Sequence, residues 1–127
     1  MNANLMLGVP TIDRQHIELF RSFEHLVSAG VSEEVLSDVL SRLTLQICNH
    51  FQTEEGFMAG LDLPSKMLKA HHQAHEQIIE DLTQIHLDSM RGQGLPFEET
   101  VATVASCVNA HLVEFDLELR PYLQQKA

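Results

Sequence analysis

The chain has 127 residues, 44% of them apolar and 20% charged, which suits one ordinary globular domain with a real core. A formal net charge of −10 with histidines neutral, and no cationic cluster beyond the near neighbours Lys66 and Lys69, argues against a nucleic-acid partner. No apolar run approaches the roughly 18 residues that span a bilayer, so no membrane partner is expected, and Met1-Asn2-Ala3-Asn4 lacks the basic and apolar blocks of a secretory leader.

Residues 1–12 read as an apolar arm, Leu5-Met6-Leu7-Gly8-Val9-Pro10. A first helix is expected over about 13–29, with Asp13 as N-cap or first-turn acid. Its apolar stripe is His16, Leu19, Phe20, Phe23, Leu26 and Val27, and Gly30 ends it. A second helix over about 32–59 opens on Ser32-Glu33-Glu34 and stops at Gly60. Its buried face starts at Val35 and carries His50 and Glu54, four residues apart and so stacked on one side. Leu63-Pro64-Ser65 reopens the chain for a third helix over about 65–91, with His71 and His75 on its apolar face. Gly92 and Gly94 break it, and Pro96 begins a fourth helix over about 97–120 that carries His111 and Asp116. Pro121 ends or kinks that helix near Arg120. Gln124-Gln125-Lys126-Ala127 is an uninformative polar tail. The fold class is all-α: one domain over 1–127, an up-down-up-down antiparallel four-helix bundle with an N-terminal arm.

In that topology the start of helix one, the end of two, the start of three and the end of four share one end of the bundle. A rise of about 1.5 Å per residue puts the polar residues of their apolar faces in one slab. His16, His50, Glu54, His71, His75, His111 and Asp116 therefore converge inside the core. One buried histidine is usually satisfied by a neighbour; five with two carboxylates call for a cation. The chain contains no Glu-x-x-His and no His-Glu-x-x-His, so neither a carboxylate-rich ferritin-like site nor a zincin is expected.

Ile12-Asp13-Arg14-Gln15-His16, His50-Phe51-Gln52-Thr53-Glu54-Glu55, His71-x-x-x-His75 and His111-x-x-x-x-Asp116 together resemble the hemerythrin family, specifically the bacteriohemerythrins. The resemblance covers nearly the whole chain. The family's frequent tryptophan in the arm is absent, with Leu5 or Met6 in its place, and Leu63-Pro64 stands where Tyr-Pro is common. The resemblance implies two iron ions with an oxo or hydroxo bridge and O2 as ligand. It implies that His71, His75 and His111 bind one iron, that His16 and His50 bind the other, and that Glu54 and Asp116 bridge them. Two six-coordinate irons held so keep one position open, on the iron of His16 and His50. Phe51, Cys107, Val108 and Leu112 are expected to line that O2 pocket, and a dry lining favours reversible binding.

The expected function is reversible O2 binding by a carrier, store or sensor. A di-iron peroxidase or oxidase, and an iron-binding detoxification protein, are the alternatives. His25, His72 and His86 fall out of reach of the slab, His86 by about 16 Å along its helix. Cys48 and Cys107 form no CxxC and read as free thiols of a reducing cytoplasm. A free-standing protein is expected, with an output domain or signalling partner beyond the fourth helix as the alternative.

Overall fold

The computed structural model describes residues 6–29 and 36–125, with the side chains of 27–29 and 124–125 left aside. The expectations placed on Leu5, Val27, Gly30, Ser32, Glu33, Glu34, Val35 and the tail lie outside the described residues and side chains.

Four helices, α1 (Pro10–Ala29), α2 (Leu36–Ala59), α3 (Ser65–Met90) and α4 (Phe97–Glu114), are followed by a 3-10 turn (Asp116–Leu119) and a short α5 (Arg120–Gln125). Among the described residues there is no strand. α1 packs on α2 and α4, and α3 packs on the same two helices. Sequential helices are therefore neighbours around the ring, as in an antiparallel four-helix bundle. Among the described residues no helix is long and apolar enough to cross a membrane.

Two boundaries differ from expectation. α1 begins at Pro10, not Asp13, because proline is preset for the first helical turn and has no N–H to lose there. Asp13 sits in the first turn and reaches back: its carboxylate accepts the N–H of Leu7 at 2.8 Å and of Gly8 at 3.0 Å. Gly8 takes φ +88°, which a side chain would resist, and so the arm can double back onto α1. Leu7 is thereby buried, while Met6 is only half-buried.

α4 also ends earlier than the position of Pro121 suggests. Its last residue is Glu114, and Phe115 closes it at φ −113°, ψ −50°, donating to the His111 carbonyl at 2.8 Å. Pro121 has no N–H for the ladder, so the chain tightens and restarts with the proline in the first turn of α5. In an unbroken α-helix residues five apart point about 140° away from each other. Asp116 can share the bundle interior with His111 because the helix breaks between them.

The core falls into two apolar clusters. The larger includes Leu19, Phe23, Leu40, Ile47, Phe51, Leu82, Val104 and Val108. The smaller joins Leu7 of the arm to Ile12, Met58, Leu119 and Leu123. Leu61 and Leu63 of the α2–α3 connection and Leu68 of α3 pack against it. α1, α2 and α3 pass from one cluster to the other across a polar slab, for example Ile12–His16–Leu19 on α1 and Ile47–His50–Glu54–Met58 on α2, whereas α4 enters the slab from the larger cluster and the 3-10 turn leaves it for the smaller.

Candidate metal centre

The slab brings together six histidine and glutamate side chains that helical spacing selects and Asp116, which the helix break turns inward. His16 stands on α1, His50 and Glu54 on α2, His71 and His75 on α3, His111 on α4 and Asp116 in the 3-10 turn. None is more than 5% exposed. Their ligand-type atoms form two nests, each spanning no more than 4.8 Å: Glu54, His71, His75, His111 and Asp116, and His16, His50, Glu54 and Asp116. The carboxylates belong to both.

How they belong to both is visible atom by atom. Glu54 Oε1 lies 2.5 Å from His71 Nε2, 3.1 Å from His75 Nε2 and 3.7 Å from His111 Nε2. Its other oxygen, Oε2, lies 3.2 Å from His50 Nε2. Asp116 Oδ1 is 3.0 Å from His111 Nε2 and 3.2 Å from His71 Nε2. Asp116 Oδ2 is 3.2 Å from His16 Nε2 and 3.9 Å from His50 Nε2. Each carboxylate gives one oxygen to each nest, and every imidazole presents Nε2.

These atoms are near one another without being well paired. Glu54 Oε2, Asp116 Oδ1 and His111 Nε2 are sealed from solvent with no aligned hydrogen bond, although His111 Nε2 and Asp116 Oδ1 are only 3.0 Å apart. His16 Nε2 and His50 Nε2 face each other at 2.8 Å. An unsatisfied buried polar atom costs about 1–3 kcal/mol, and a group of them aimed at common points is the geometry a cation would satisfy.

Without a cation, protons take its place. Burial raises the Glu54 carboxyl and so does the charge of Asp116, but the close imidazole nitrogens of His111, His50 and His71 outweigh both and hold it below the usual carboxylate range. Burial also raises Asp116, and the close imidazole nitrogens of His111, His16, His50 and His71 hold it well below that range. Burial pushes His50 and His71 down, yet the nearby Asp116 and Glu54 carboxylates lift both from 6.5 to about 9. His111 is raised by the same two carboxylates against the same cost of burial.

Of the expected pocket lining, Phe51, Val108 and Leu112 are buried. Phe51 stacks on His75 with centroids 3.9 Å apart. Cys107 is only half-buried; burial and the charge of Asp81 on α3 raise its thiol pKa, which places it at the α3–α4 seam. The outlying histidines sit apart from the nests: His25 is exposed, His72 pairs with Glu55, and His86 bonds Ser37 at 2.9 Å.

Three neighbours escape a reading based on apolar faces. Gln15 bonds His50 Nδ1 at 3.0 Å, Phe115 stacks on His111 at 5.3 Å, and Glu55 reaches within 3.6 Å of His75 Nδ1. Gln15 and Glu55 lie inside the quoted motifs, so their positions beside ligand candidates were a usable signal; Phe115, the residue before Asp116, shows one only once the helix is seen to break.

The sequence profile of the hemerythrin HHE cation binding domain matches residues 7–123. Two proteins named bacteriohemerythrin, from Campylobacter jejuni subsp. jejuni serotypes O:6 and O:2, are each 26% identical over 118 residues, covering 91% of this chain and 87% of theirs. No solved structure matches significantly. The profile runs from buried Leu7 of the arm to buried Leu123 of α5 and takes in all seven clustered side chains, and the chain belongs to the hemerythrin HHE family.

Proposed function

We propose that this protein binds O2 reversibly at a pair of iron ions, as a carrier, store or sensor. The observation that carries the reading is the division of both carboxylates between the nests. A single cation needs donors that converge on one point. Here Glu54 and Asp116 each turn one oxygen to His71 and His111 and the other to His16 or His50. That arrangement fits two ions side by side with shared carboxylates. Five imidazoles with two carboxylates form a donor set that suits iron, as it also suits zinc, copper and nickel. The relatives' name, bacteriohemerythrin, agrees with it.

His71, His75 and His111 would hold one iron and His16 and His50 the other. When bound, the iron pair supplies the electrons that let O2 be held and released. The chain's own part is to orient, to seal and to withhold protons. Apolar clusters close the slab on both faces. Phe51 and Phe115 lie flat against His75 and His111. Among the described residues, the titratable groups inside the slab are the seven themselves, which leaves no spare acid to drive O2 onward to water. The two-histidine nest has one protein donor fewer and is the half with room for a small ligand; Val108 and Leu112 are the side chains we assign to its approach. Cys48 and Cys107, both free, agree with a reducing cytoplasm.

The test is an optical spectrum of anaerobic, reduced, iron-loaded protein, taken before and after air and again after O2 is removed. A colour that appears with air and fades on deoxygenation supports the proposal. Irreversible oxidation with turnover of a reductant indicates an enzyme. A single tightly bound zinc per chain in cell-grown protein removes the di-iron reading altogether.

A further inference from the structure

Gln15 precedes His16 on α1 and reaches across to α2. Its Oε1 lies 3.0 Å from His50 Nδ1, its Nε2 donates to Thr53 Oγ1 at 3.1 Å, and Thr53 Oγ1 donates to the Asn49 carbonyl at 3.0 Å. The direction of this relay follows from its far end. A backbone carbonyl only accepts, so Thr53 gives Asn49 its one hydroxyl proton. The free lone pair of Thr53 then takes an N–H from the Gln15 amide, and the amide turns its oxygen to His50. His50 must donate through Nδ1, and in the neutral ring Nε2 is bare. That bare nitrogen faces Glu54 Oε2 at 3.2 Å and His16 Nε2 at 2.8 Å. The outward nitrogens of His16, His75 and His111 have no hydrogen-bond partner.

We propose that Gln15, held by Thr53, is a positioning residue that fixes the tautomer and ring plane of His50 and thereby controls metal occupancy of the two-histidine half of the centre. The inference rests on the metal-binding reading above. It makes that half depend on a contact between α1 and α2, whereas the other half is built on α3 and α4.

Metal-free protein titrated calorimetrically with Zn(II), which has no redox chemistry of its own, tests this. The parent should take up two zinc ions. Gln15→Leu should keep one tight site and weaken the second roughly 10- to 100-fold, the usual effect of losing a partner of a metal-bound imidazole. Gln15→Glu still accepts from His50 Nδ1 and should restore the second site to within a few-fold. Thr53→Val, which frees the amide to turn over, should give a smaller loss confined to the same site. In the zinc-loaded parent, nitrogen-15 NMR should show a slowly exchanging His50 Nδ1–H that Gln15→Leu abolishes. If Gln15→Leu binds both ions with parental affinity, the proposal fails and the metal reading stands. If it weakens both equally, Gln15 serves only the fold and the proposal is wrong. If the parent takes up fewer than two ions, the metal reading fails and the proposal falls with it.

Discussion

The two halves of the centre share their carboxylates but are held by different forces. Around His71, His75 and His111 the means are steric. The three rings touch one another at 4.7–5.0 Å, Phe51 stacks on His75 within 12° of parallel, and Phe115 stacks on His111 within 21°. Such ring pairs contribute about 0.5–1.5 kcal/mol each beyond the area they bury. Around His16 and His50, among the described residues, no ring lies flat on either imidazole: the two meet at 59°, and Phe51 is tilted 50° and 6.1 Å from His50. His50 is instead oriented by the Gln15–Thr53 relay. One half is held by contact on its ring faces; the other is fixed in direction by hydrogen bonds. Under the proposed function, a site that held one metal firmly and admitted a ligand at its neighbour would gain from that division.

The largest effect should come from the residues that erase the difference. Glu54→Ala removes a donor from both nests, so metal analysis of the purified variant should find neither iron. His75→Ala touches one nest only and should leave metal in the other. In metal-free protein Glu54→Ala also strips buried imidazolium groups of their counter-charge, a change that costs about 3–5 kcal/mol for a buried pair. A Glu54→Ala protein that still carried one iron would show that the halves are independent sites, not a pair.

Electrostatically the halves should behave alike, because both face the same carboxylates. Burial alone would lower His50 and His71, but the nearby Asp116 and Glu54 carboxylates hold one ring of each nest at about 9 against an ordinary 6.5. A raised folded-state pKa contributes stability below the unfolded value and loses it as pH climbs through the folded one. Thermal melts of metal-free protein should therefore decline between pH 6.5 and about 9. Metal replaces those protons, so loaded protein should keep its melting temperature over the same window. A flat profile for the metal-free form would mean the imidazoles are neutral there and the carboxylates are balanced otherwise.

The contrast between the halves was only partly legible in the sequence. Periodicity placed His50, Glu54, His71 and His75 because four-residue spacing on an unbroken helix fixes a face. It placed His16 and His111 by the same rule. Asp116 is different: five residues from His111, it reaches the slab through a helix break that comes before the proline causing it, and periodicity has no rule for that. Gln15 and Phe115 stayed hidden for a simpler reason. One is half-buried and polar, the other half-buried and apolar, and what each does depends on a partner across the bundle, not on its own stripe. The arm was read as apolar, but its anchoring needed the backward reach of Asp13 to Leu7 and Gly8.

A smaller effect should separate ligand entry from metal retention. Val108 is 5% exposed, belongs to the larger apolar cluster and stands one turn before His111. Val108→Phe should slow azide or O2 binding while both irons stay bound, with a stability cost of about 1–3 kcal/mol from overpacking. Entry as fast as in the parent would mean that the roomy half opens elsewhere, and the assignment of the open iron to His16 and His50 would need reversing.

The smallest effects should come from His25, His86 and His72, each changed to Gln. His25 is exposed, and nothing at the centre should register its loss. His86→Gln puts at risk one hydrogen bond to Ser37, worth about 0.5–1.5 kcal/mol. His72 is the informative case, since Glu55 stands between it and the three-histidine nest. The His72–Glu55 pair is 43% and 32% exposed, and water screens such pairs to about 0–1 kcal/mol. Glu55 Oε1 lies 3.6 Å from His75 Nδ1, too far for a hydrogen bond to transmit orientation. His75 is instead pinned by the face of Phe51. His72→Gln should therefore keep both irons and an unchanged visible spectrum. Loss of one iron would show that a surface residue steers His75 as Gln15 steers His50, and that both halves are held by hydrogen bonds after all.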